Sequence, residues 1–254
     1  LSLYYDFQDL TPIGRRGDEL LRHLAEHLAS LDLLPQAETL LRYQIEQRLH
    51  GGVAKAQVAV RLAGLYLLDR KPQEALQTIR ATAQNGLPED IDEQRRLIEA
   101  RSLGSLKKYD LALDLLSEIP GRIAEVLRAD MLWEAQRWDE AGAAAEAVLA
   151  GAAGAKPLTD DERFDVMRSA IAYALAGNED GLSRLRTEFG SRMAATSDAS
   201  AFAVVTDAIE KNGVAFRELA SRIASVNTME RFVNSLKKND KVSALDGTAV
   251  AANE

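Results

Sequence analysis

From Gly17 to Lys238, apolar side chains return every three or four residues, the spacing that places them on one face of an α-helix. Leu21, Leu24 and Leu28 form one such stripe, and Leu62, Tyr66 and their neighbours form another. Phe202, Val205 and Ile209 share a face further on, as do Phe216, Leu219 and Ile223. Sustained alternation, the mark of a half-buried strand, is missing, and Asp246-Gly247 falls in a polar tail rather than between β-branched runs. The pattern predicts an all-α chain.

The helical stripes are also spaced regularly. The stretches LLPQAETLL, RKPQEALQTI, KKYDLALDLL, QRWDEAGAAA and GNEDGLSRL each hold a small residue followed four places later by an apolar or small one: Ala37/Leu41, Ala75/Ile79, Ala112/Leu116, Ala141/Ala145 and Gly181/Leu185. Twelve residues before each small residue stands another: Ala25, Ala63, Ala100, Ala129 and Ser169. Two antiparallel helices joined by a tight turn need small side chains where they approach closely, with larger apolar groups filling the seam. Pro35, Pro72, Tyr109, Trp138 and Gly177 mark the turns. Pro88, Pro120 and Pro157 fall between hairpins, where helices can stop.

This pattern resembles the tetratricopeptide repeat (TPR). The second match is the fullest: Ala59, Leu62, Ala63 and Tyr66, then Ala75 and Ile79, with Pro88 beyond. The first has Leu21, Leu24, Ala25 and Leu28, then Ala37 and Leu41. The third keeps Ala100, Leu103, Ala112 and Leu116 but places Arg96 and Glu99 at apolar positions, and the fourth keeps Ala129, Leu132 and Ala141. The fifth keeps small residues, with Tyr173 and Leu185 as its bulk. The turn positions are 38, 37, 29 and 40 residues apart, so the 34-residue norm of the family is not kept. A generic TPR-like α-solenoid fits equally well. The resemblance implies an α-solenoid of about five helical hairpins, here residues 18–190, with capping segments at both ends.

Residues 1–17 carry Tyr4, Tyr5 and Phe7, which suit a cap over the first hairpin, because solenoid ends need covering. A partner-docking or linker segment is the rival reading. Residues 191–238 predict three short helices that close the other end, with Asn227-Thr228 as a cap before the last. Residues 239–254 have little to bury and are expected to dangle.

Composition narrows the function. The chain has 254 residues and a net charge of −8, so a general nucleic-acid role is disfavoured. It has no cysteine, which removes disulfides, thiolate nucleophiles and cysteine metal sites. With 28% charged residues and 46% hydrophobic ones it has the make-up of a soluble folded protein, and no stretch reaches the length of a transmembrane span. Periplasm and cytoplasm suit it equally. Abundant Ala and Arg point to a GC-rich bacterial source, and a first residue of Leu1 to the C-terminal part of a larger protein.

One motif suggests chemistry. His23-Leu24-Ala25-Glu26-His27 reads H-x-x-E-H, the spacing of a zinc-hydrolase helix with a carboxylate base. Against it, Leu21, Leu24, Ala25 and Leu28 are claimed by packing, which turns both histidines towards solvent. Glu74, Glu89 and Glu93 are too many third-ligand candidates to be informative. His50 stands at a helix end, Gly51-Gly52 separates two hairpins, and Asp160-Asp161 and Glu179-Asp180 suit helix starts. The basic stretches Arg101–Lys108 and Arg231–Lys241 suit solvated helix ends, with an anionic contact as the alternative.

The resemblance therefore implies a non-catalytic scaffold that needs no cofactor or metal and binds a protein or peptide partner. In a stack of hairpins the first helices line the concave side. By that geometry Arg22, Glu26, Arg101, Asp130, Trp133 and Tyr173 are the candidate contacts, with ordinary packing as the alternative for each. The competing functions are a hydrolase at His23/Glu26/His27 and a segment for self-association.

Overall fold

A computed structural model describes residues 14–152, 157–207 and 232–236, and every regular element among them is helical. The described residues divide at Leu106/Lys107 into two compact units. That division falls inside the span read from the sequence as one run of repeats.

In the first unit, α1 (Arg15–Ser30) pairs with α2 (Leu34–Tyr43), and α3 (Gly52–Leu68) pairs with α4 (Pro72–Ala81). α5 (Glu89–Ser105) packs on α4 and α3, and α3 also meets α2. Proline supplies the start of α2 and α4, where its fixed φ and missing N–H cost nothing. A π-helical turn, Gln44–Arg48, extends α2. It places the Arg48 guanidinium 2.7 Å from Asp18 and lets Gln44 donate to the Asp18 carbonyl. Ala25 and Ala37, and Ala63 and Ala75, are buried within these packed helix pairs.

In the second unit, α6 (Tyr109–Ser117) packs on α7 (Arg122–Glu134), α7 on α8 (Trp138–Val148), and α8 on α9 (Asp160–Ala176). α9 then packs on α10 (Glu179–Met193) and α11 (Ala199–Thr206). Thr159 starts α9 with a full capping box: its hydroxyl accepts from the Glu162 N–H, and the Glu162 carboxylate accepts from the Thr159 N–H at 2.8 Å. A core of Val166, Ile171, Tyr173, Leu185, Phe189 and Phe202 lies among α9, α10 and α11.

One turn conformation recurs along the chain. Asp32, Arg70, Lys107, Gln136 and Gly177 all have left-handed backbone, with φ between 57° and 72°. The next residue returns to negative φ, and a new helix begins directly after it. In the turns after α1, α3, α7 and α9 that next residue's N–H reaches back to a carbonyl five residues earlier: Leu33 to Leu28, Lys71 to Tyr66, Arg137 to Leu132 and Asn178 to Tyr173, at 2.7–2.9 Å. This satisfies a carbonyl that the helix end leaves open. Gly177 takes the conformation without strain; the other four positions do so with a side chain.

The shared turn corrects one register. Ala37, Ala75, Ala112 and Ala141 each donate to the carbonyl of the residue just before their helix. In the last hairpin Leu182 makes that bond, to Asn178, so the equivalent pair is Ala170/Leu182 rather than Ser169/Gly181. Ser169 instead donates its hydroxyl to the Gly142 carbonyl of α8 at 2.8 Å, and Gly181 lies against the Tyr173 ring.

Of the end segments, α11 and a helical turn at 232–236 fall where C-terminal helices were expected. The aromatic run at 1–13, Ile209, the 216–223 stripe, the Asn227-Thr228 cap and the 239–254 tail lie outside the described residues.

Candidate interaction surface

Within the second unit, α7 and α9 are the first helices of the hairpins α7/α8 and α9/α10. Their helical spacing turns Arg122, Val126 and Asp130 of α7 and Asp161 and Asp165 of α9 to a common cleft of about 340 Å³. Ile123 and Val126 give it a half-buried apolar floor. Phe232, Asn234 and Ser235 form its remaining wall. Phe232, Val233 and Leu236 are buried, while Asn234 is exposed.

A buried ion pair lies beside the cleft. The Arg168 guanidinium bonds the Asp130 carboxylate, both side chains almost fully enclosed, and reaches the Ala129 carbonyl at 3.3 Å. The Trp133 ring is 5.2 Å from the same guanidinium and the Phe164 ring 6.0 Å, so aromatic faces flank the cation. Trp133 is half-buried and meets Trp138 edge-to-face at 5.3 Å. At the cleft mouth Arg122 donates to the Val148 carbonyl at 3.0 Å and stands 3.8 Å from Asp165.

Tyr173 is enclosed differently. Its ring is wedged between Gly142 of α8 and Gly181 of α10; a Cβ on either glycine would stand 2.7 Å from the ring. The hydroxyl donates to Glu146 at 2.5 Å, and Arg184 stands 3.2 Å from the same carboxylate. Burial, then the bond to the Glu146 carboxylate, hold the phenol far above its usual pKa, so Tyr173 is a neutral donor.

The sequence-derived candidates separate by exposure. Glu26 is exposed, Arg22 and Trp133 are half-buried, and Arg101, Asp130 and Tyr173 are buried. Asp130 and Tyr173 are engaged by their own unit and present no free face in this conformation. At the H-x-x-E-H motif, His23 and His27 are exposed, as their position off the packing stripe implied. Glu26 is 2.8 Å from Arg61 and 3.6 Å from His23, both contacts on the surface. Among the described residues, no three His, Cys, Asp or Glu side chains are grouped so as to hold a metal.

Arg122, Asp165 and Arg168 were not singled out from the sequence; Asp161 was read as a helix-start acid, and Phe232 fell inside the basic stretch 231–241 without being given a role. The one available signal was charge: Arg168 follows Asp130 by 38 residues, close to one repeat length. No helix among the described residues is long and apolar enough to cross a membrane. No protein-family model, curated protein or solved structure matches the chain.

Proposed function

We propose that this chain is a TPR-like helical-repeat protein that acts as a non-catalytic scaffold, binding a protein or peptide partner on the faces of its first helices. The observation that carries the reading is the recurrent left-handed turn at Asp32, Arg70, Lys107, Gln136 and Gly177. One backbone conformation, repeated two residues before each new helix, fits a helical-hairpin repeat, and such folds work by presenting helix faces. The mapping from fold to role is by analogy.

The contact set differs from the one the spacing suggested. Arg22, Glu26 and Trp133 keep solvent-facing surface, Glu26 while paired with Arg61 and Trp133 while packed against Arg168 and Trp138. Asp130, through Arg168, and Tyr173, through its glycine clamp, set the shape behind the surface. Hydrolysis at His23/Glu26/His27 gains no support, because the would-be base is engaged by Arg61 on an open helix face. A catalytic zinc needs a third protein ligand and a sheltered position.

The test is capture from a bacterial lysate on the immobilised full chain, with Trp133→Ala and Arg22→Glu as variants and mass spectrometry of what is retained. A captured protein that the wild type holds and a variant loses at least tenfold supports the reading. An identical retained set on all three chains removes it.

A further inference from the structure

Glu38 of α2 is enclosed, with 4% of its side chain exposed. Its Oε2 accepts from the Lys71 ammonium at 2.8 Å, while Oε1 is buried without a hydrogen-bond partner. Lys71 Nζ also stands 2.5 Å from Oδ2 of Asp69, the residue that caps the end of α3. The Glu38 and Asp69 carboxyls lie within hydrogen-bond reach of each other. Two carboxylates therefore share one ammonium, which leaves a single negative charge uncompensated in the cluster. Like charges held this close favour the uptake of one proton. The backbone of Lys71 belongs to the turn itself. Its N–H closes the left-handed turn on the Tyr66 carbonyl at 2.7 Å, and its carbonyl accepts from the Ala75 N–H in α4. One side chain thus ties α2 of the first hairpin to the turn that joins α3 to α4.

The neighbouring charges are accounted for. The Tyr66 ring lies 5.9 Å from the ammonium, and burial keeps its phenol neutral by raising it above the usual 10.0. Arg42 of α2 and Glu74 of α4 act on that phenol in opposite senses. On α1, which also packs on α2, Asp18 is held by Arg48 and Glu26 by Arg61, and His23 and His27 face solvent. Burial pushes the Glu38 carboxyl above its usual 4.5 against the pull of Lys71, and Asp69 adds to the rise. The bond to Lys71 holds Asp69 below its usual 3.8. The first proton taken up therefore goes to Glu38. Its hydroxyl then donates to the Asp69 carboxylate, which keeps Lys71.

We propose that Glu38, Asp69 and Lys71 form a proton-tightened latch between α2 and the α3/α4 turn, in which one proton shared by the two carboxyls strengthens the join and its loss loosens it. The latch goes beyond the scaffold reading and does not depend on it. Linkage sets the sign. A carboxyl raised on folding holds its proton more tightly in the folded chain than in the unfolded one. Its contribution to stability therefore grows as pH falls through the folded value and is complete below the unfolded 4.5. Asp69 is lowered on folding and acts in the opposite sense: its contribution is full above the unfolded 3.8 and fades as pH falls through the folded value. The latch is tightest in mild acid.

The experiment is amide hydrogen exchange on the full chain, read at the Lys71 amide and corrected for the intrinsic effect of pH, with side-chain carboxyl carbon shifts followed in the same samples. Protection of the Lys71 amide should rise about threefold or more from pH 7 to pH 5 in wild type. Glu38→Gln removes the titrating proton and should abolish the rise. No rise in wild type, or an equal rise in Glu38→Gln, overturns the latch. The Asn178 amide, which closes the corresponding turn after α9, is the control. Its protection should be the same in both chains, and an equal response there overturns a local latch. A wild-type Glu38 carboxyl that titrates at or below 4.5 overturns the inference without any variant. Asp69→Asn removes the second carboxylate and should lower the Glu38 midpoint; an unchanged midpoint overturns the shared proton.

Discussion

Replacing Gly142 by alanine tests the packing that underlies the second unit. A Cβ there would lie 2.7, 2.8 and 3.0 Å from Cδ1, Cε1 and Cγ of Tyr173. Comfortable carbon–carbon contact is about 3.5–4.0 Å, so the overlap is close to a full ångström. The ring cannot step aside, because Gly181 faces it from the other flank and Glu146 holds its hydroxyl. Overpacking of this kind costs about 1–3 kcal/mol, with the rigid clamp favouring the upper half of that range. Against it, alanine in a helix interior is better than glycine by about 1 kcal/mol. The net expectation for Gly142→Ala is a loss of about 1–2 kcal/mol.

Removing the ring should reverse the sign. Tyr173→Ala alone costs about 3–5 kcal/mol as a large-to-small core change. In that background Gly142→Ala has space and should recover about 1 kcal/mol. Gly190→Ala is the control within α10, where a Cβ meets only the Arg186 side chain at 3.9 Å; it should stabilise in both backgrounds. The chain's two tryptophans, Trp133 and Trp138, both lie in the second unit, so urea unfolding monitored by their fluorescence reports that unit. A Gly142→Ala chain more stable than wild type while Tyr173 is present would refute the clamp.

The same geometry sets three further outcomes. Asp130→Ala strands the Arg168 charge in the core and should cost about 3–5 kcal/mol by urea titration, whereas Asp130→Leu with Arg168→Met should cost far less, because no charge is left uncompensated. Arg70→Gly should stabilise the first unit and Gly177→Ala should destabilise the second, by about 1 kcal/mol each in thermal melts, since a side chain in left-handed backbone is strained by about that much. The Thr159 N–H bond holds the Glu162 carboxyl below its usual 4.5, with the Thr159 hydroxyl adding to the effect. A depressed pKa contributes stability that is full above the unfolded-state value and fades as pH falls through the folded one. Stability measured from pH 6 downwards should therefore show this loss in wild type and lack it in Glu162→Gln.

Much of the helical organisation was legible because one requirement generates it. Close helix approach demands small residues, and Ala25/Ala37 and Ala63/Ala75 announced their seams by spacing alone. Gly177 marked its turn directly, but the other four were legible only through their downstream neighbours: Pro35, Pro72, Tyr109 and Trp138 are first-turn residues of the second helices. The left-handed residues themselves, Asp32, Arg70, Lys107 and Gln136, carry no glycine signal, so composition could not find them. In an alanine-rich chain a match one residue out of phase is easy, which is how Ser169/Gly181 displaced Ala170/Leu182. Gly181 is small for Tyr173, a demand made by a ring three helical positions from Ala170 that no spacing rule contains.

The surface was less legible than the seams. Asp130 and Tyr173 are polar residues on first helices, and local pattern sends such residues to solvent. What buries them is long-range: Arg168 is 38 residues from Asp130, and Glu146 is 27 from Tyr173. Helices covered on several sides lose the amphipathic contrast from which an exposed face is read, as α9 shows by burying every residue from Asp165 to Ala174. The H-x-x-E-H reading turned on the reverse case, where α1 keeps a clear stripe and its histidines stay outside it.

Backbone chemical shifts and three-bond HN–Hα couplings of the isotope-labelled full chain test the repeat most directly. Left-handed backbone is expected at Asp32, Arg70, Lys107, Gln136 and Gly177, each with helix on both sides. Helix running unbroken through these positions, or extended backbone at most of them, would contradict a repeated helical hairpin.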